Sequence, residues 1–136
     1  MPELTQKMHW AIGFLFVVVF LATGAYMRMG FPELYAGREE VRMMYRSTHI
    51  YILFGASVNL LVGHGLHRFD NYLRHVQRLA SLILLLAPFW IVVGFFVESP
   101  SYLIHRPFST WGVVSIFVGV LLVSVLNLPW ARKQAG

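Results

Sequence analysis

The 136-residue chain contains no cysteine. That excludes disulfides, thiolate metal sites, iron–sulfur clusters and haem attached through Cys-x-x-Cys-His. Any metal or cofactor must be held by His, Met, carboxylate or backbone groups. Charge is scarce too: 12% of residues are charged and 57% are hydrophobic, whereas a soluble domain is about one-quarter charged. So few charges cannot wet a globular surface, and the composition predicts an integral membrane protein. The net charge of +5 does not indicate nucleic acid, because the basic residues fall in short clusters between apolar stretches. Hydrolase triads, phosphate-cradling glycine loops and zinc signatures are missing, which argues against a stand-alone enzyme. The spans lack ionisable groups away from their borders, which argues against a pump or an ion-coupled transporter.

What is present is apolar length. A bilayer-crossing helix needs about 17–25 apolar residues, and four stretches meet that: residues 10–27, 45–66, 79–97 and 109–130. The first is read as a span rather than a cleaved leader. Pro88 falls inside the third and is tolerable there if a neighbouring helix satisfies the freed backbone. Pro107 suits the first position of the fourth helix. Trp111 and Trp130 fit aromatic belts at the two interfaces. Residues 28–44 form the longest connection, and short connections imply antiparallel neighbours. The expected fold is therefore all-α, an up-down-up-down four-helix membrane bundle forming a single domain over residues 1–136. With the N-terminus inside, Lys7, Arg68, Arg74, Arg78, Arg132 and Lys133 face the cytoplasm; Arg28, Arg38, Arg42, Arg46 and Arg106 face away. That leans toward cytoplasmic termini in a bacterial inner membrane.

Six histidines fall on two levels. His9, His64, His67 and His75 lie near one face; His49 and His105 lie near the other. His49 and His64 are 15 residues apart, which is about 22 Å along a helix and about 60° around it, so both can face the bundle interior. Stacked b-haems need that arrangement, with Arg42 and Arg46 placed to meet propionates because they share a helix face with His49. The plainer reading makes these rings interfacial, with His67, His75 and His105 solvated. Gly55-Ala56 and Ser115/Gly119 read as helix-packing notches, and Asn59 as an interhelical hydrogen bond. Glu98 reads as an interfacial carboxylate. Met27, Met29, Met43 and Met44, with His49 nearby, form a loose copper(I) pattern, against which stands gap-filling at helix ends.

The stretch "KMHWAIGFLFVVVFLATGAYM" resembles the first span of the membrane-bound cytochrome b family, which includes cytochrome b561 and the haem-carrying subunits of formate dehydrogenase and nickel–iron hydrogenase. The resemblance rests on His9-Trp10 at the start and Thr23-Gly24 near the end. "RSTHIYILFG" is similar to the family's second span, and the likeness covers the first half of the chain. It implies haem b, with His9 and His49 as iron ligands on opposite faces. Family members draw further ligands from the fourth span, where this chain has no histidine. His64 or His75 would then partner His9, and His105 would partner His49.

Two readings stand. One is an electron-transfer module or small redox-complex subunit, holding haem b through His9, His49 and His64 and exchanging electrons with a partner or with quinone. A quinone would need an apolar cleft and a donor such as Tyr45 or His49. The other is a haem-free four-helix scaffold or accessory subunit of a larger membrane complex, its partners being lipid and other membrane subunits or a second copy.

Overall fold

The computed structural model describes residues 2–30, 33, 38–65, 72–101 and 105–126. They form four helices: α1 (Pro2–Met29), α2 (Glu39–Gly65), α3 (Tyr72–Ser101) and α4 (Pro107–Leu126). The helices α1, α2 and α3 extend beyond the apolar stretches that announce them, because a helix continues through polar flanks once its span is packed. Pro2 and Pro107 each open a helix, where a missing N–H costs nothing. Gly30 closes α1 through its N–H to the Tyr26 carbonyl at 3.0 Å. Glu39 and Glu40 sit in the first turn of α2, where negative charge complements the helix dipole.

Packing follows chain order. α1 lies against α2, α2 against α3 and α3 against α4; α1–α3 and α2–α4 touch sparsely, and the described parts of α1 and α4 do not meet. Glycines set the register by admitting a neighbour where a Cβ would intrude. A Cβ on Gly13 would stand 2.6 Å from Leu60 Cγ, and one on Gly63 would stand 3.1 Å from Trp10 Cδ1. Pro88 of α3 leans on Gly55 of α2, and Leu84 leans on Gly119 of α4. These contacts are the notches expected at Gly55 and Gly119. The core between the helices holds Phe16, Tyr45, Ile52, Ala56, Leu84, Ile91, Phe95 and Ile116.

Outward faces remain apolar: Phe14, Val18 and Leu21 on α1, Leu82 and Phe96 on α3, Phe117 and Leu121 on α4. Water does not favour so much exposed hydrocarbon, whereas lipid does. α1, α3 and α4 are long and apolar enough to cross a bilayer. α2 is less apolar than the sequence pattern suggests. Its polar positions include Thr48, His49, Asn59 and His64, and because it lies between α1 and α3, protein replaces lipid around much of it. The chain is thus an all-α membrane bundle.

Candidate functional site

The two histidines singled out by the sequence both turn toward other helices. His9 is fully buried, and its Nδ1 lies 2.7 Å from Asn59 Oδ1. The Asn59 amide is oriented unambiguously, because its other end meets two carbonyl oxygens, Gly55 at 2.9 Å and Leu84 at 3.0 Å. Only the NH2 end can donate to both. Oδ1 therefore accepts from His9 Nδ1–H, and His9 Nε2 keeps its lone pair. That nitrogen is buried without a hydrogen-bond partner.

The Leu84 carbonyl explains why Asn59 is there. In a continuous helix it would accept from residue 88, but residue 88 is proline and has no N–H. Asn59 supplies the missing donor from the neighbouring helix. One chain of groups, from His9 through Asn59 to the Leu84 carbonyl, thereby joins α1, α2 and α3. The expected rescue of Pro88's freed backbone and the expected interhelical role of Asn59 are one device.

His49 repeats the logic near the other end. Thr23 Oγ1 lies within hydrogen-bond reach of two carbonyls of its own helix, Val19 O (2.9 Å) and Phe20 O (3.0 Å). The same hydroxyl bonds His49 Nδ1 at 3.0 Å. Phe20 stacks on the imidazole at 4.0 Å between centroids. A Cβ on Gly24 would stand 3.2 Å from His49 Cε1, so glycine gives the ring its place. The paired motifs thus pack on α2: His9-Trp10 meets Asn59 and Gly63, and Thr23-Gly24 meets His49.

His9 and His49 do not face one iron. His49 lies level with Gly24, 15 residues along α1 from His9, which is about 22 Å. His64 follows Gly63, which packs on His9, but His64 is exposed while His9 is buried. His75 and His105 are exposed, and His67 lies outside the described residues. Among the described residues no group of three or more His, Cys, Asp or Glu converges as a metal site. His9 has Nδ1–H anchored and Nε2 carrying the lone pair, an orientation common among ligating histidines. Arg46 is exposed, and Arg42 is half-buried with Glu39 at 3.4 Å. Of the copper candidates, Met29 and Met43 are exposed, Met44 is half-buried, and Met27 packs against the core. Tyr45 is buried edge-on to Phe95 at 5.0 Å.

A second polar cluster is one that sequence reasoning misses. Glu98, 1% exposed, accepts from Phe108 N at 2.6 Å, Ser109 N at 3.1 Å and Ser109 Oγ at 2.5 Å. Arginine is not a favoured N-cap residue, and Arg106, whose carbonyl takes the first bond of α4, stands at that position. The carboxylate of α3 serves the first turn instead. Arg106 itself reaches α2, bonding Ser47 Oγ at 3.1 Å and the Thr48 hydroxyl. Ser109 also receives Arg106 at 3.4 Å, so one hydroxyl lies between cation and carboxylate. The sequence does carry a signal for it: a lone acid in an apolar stretch, eight residues before an arginine next to proline.

No family model, curated protein or solved structure matches the chain.

Proposed function

We propose that the chain is a haem-free four-helix membrane scaffold, acting as an accessory subunit of a larger membrane complex. The observation that carries this reading is the use of both candidate ligand histidines as interhelical ties, His9 through Asn59 to the Leu84 carbonyl and His49 to Thr23. His9 and the Leu84 carbonyl both meet the Asn59 amide and His49 Nδ1 meets the Thr23 hydroxyl, so both rings have a packing role without a pigment. The reading sets the protein in a bacterial inner membrane with cytoplasmic termini, on the slight excess of basic residues at that side. Its partners are lipid and another membrane subunit or a second copy. Basic residues scattered at span borders give no surface for nucleic acid.

One observation favours a second reading, haem b with electron transfer to a partner or quinone. His9 Nε2 is buried with its lone pair unused, as an axial ligand's would be. In that reading His9, His49 and His64 supply imidazoles and Arg42 and Arg46 meet the propionates; the haem would carry a single electron. The absorption spectrum of protein purified after haem-replete expression separates the two. A scaffold gives no Soret band. A stoichiometric band that shifts on dithionite reduction and disappears in His49→Ala or His9→Ala overturns the scaffold.

A further inference from the structure

We propose that His9 Nε2 and Ser81 Oγ together form a buried binding site for one water molecule that joins α1 to α3. Both atoms are buried without a hydrogen-bond partner, in residues 0% and 2% exposed respectively. A buried polar group left without a partner forfeits the hydrogen bonds it made to water, so two within one small core call for a shared partner.

Register brings them to one level. Asn59 bonds both His9 on α1 and the Leu84 carbonyl on α3, so the His9 ring lies within one amide group's reach of α3. Gly63, one turn further along α2, packs on His9. α3 runs antiparallel to α2, so one turn back from Leu84 is the level of Ser81. Ser81 is also seven residues before Pro88, about two turns of helix and therefore the same face. Pro88 is the residue that leans on Gly55 of α2. Ser81, 2% exposed, thus shares the side of α3 on which Pro88 meets α2.

Chemistry selects the ligand. His9 Nδ1 carries the proton, so Nε2 can only accept; the ligand must donate an O–H or N–H to it. The Ser81 hydroxyl can donate to the ligand's oxygen. Water satisfies both at once and is the smallest species that does, and buried waters settle where two or more polar groups converge. α1 and α3 otherwise touch sparsely, so this water would tie them directly.

Solid-state NMR of the full chain in lipid bilayers, with 15N-labelled histidine, tests the site. The expected result is a His9 ring protonated at Nδ1 and bare at Nε2, with a cross-peak from water protons to Nε2. Ser81→Ala, a small helix-compatible change, loses most of that cross-peak while the His9–Asn59 bond persists. A proton on Nε2, no water cross-peak in the wild-type protein, or a cross-peak indifferent to Ser81→Ala overturns the proposal. A dry Nε2 in a colourless sample overturns this site alone. An iron-shifted Nε2 in a Soret-absorbing sample overturns the scaffold reading with it.

Discussion

An imidazole's two nitrogens can do different work, and here the Nδ1 atoms of His9 and His49 decide how the rings sit. His49 hydrogen-bonds the Thr23 hydroxyl through Nδ1, stacks on Phe20 and occupies the space Gly24 leaves. Thr23→Val keeps the shape and removes the hydroxyl that His49 bonds. It should cost roughly 1 kcal/mol, the scale of interhelical hydrogen bonds in membranes, read as a lower unfolding free energy in detergent. Unchanged stability would mean the bond is dispensable. Gly24→Leu should displace the ring and make His49 reactive toward a carbethoxylating reagent; protection equal to wild type would refute the steric role. The histidines themselves are legible in the sequence, as polar rings bordering oily stretches. Their partners are not, because Asn59 and Thr23 lie 50 and 26 residues away from them in the chain. No local pattern records which nitrogen a distant side chain will meet.

At the scale of elements, the apolar runs announce every helix, and Pro107 announces the start of α4. The start of α4 is nevertheless completed by α3, whose Glu98 carboxylate accepts the Phe108 and Ser109 amides. Glu98→Ala leaves those amides without an acceptor in an apolar setting and should destabilise the bundle by about 1–3 kcal/mol. Hydrogen exchange at Phe108 and Ser109 should quicken accordingly. Glu98→Gln retains one acceptor oxygen and should fall between wild type and Glu98→Ala. Exchange unaltered in Glu98→Ala would contradict the capping role. Arg106 adds a tie to α2 through Ser47 and Thr48, so Arg106→Ala should loosen α4 from α2, seen as faster exchange in the first turns of α4. In the sequence Glu98 reads as merely interfacial because its partners arrive ten and eleven residues later, past a chain reversal.

At the scale of the bundle, the described residues form three strongly apolar helices and one more polar helix, α2, packed between two of them. Composition makes the membrane setting legible, yet it overstates α2 as a lipid-facing span. Apolar counts do not distinguish hydrocarbon that meets lipid from hydrocarbon that meets protein. What unites α1, α2 and α3 is the line from His9 through Asn59 to the carbonyl that Pro88 leaves without a donor. A double-mutant cycle on unfolding free energy probes that line at its α3 end. Asn59→Ala should be costly beside Pro88, and cheaper by roughly 1 kcal/mol in a Pro88→Ala background, where the restored backbone N–H at position 88 serves the Leu84 carbonyl instead. Equal costs in the two backgrounds would contradict the account.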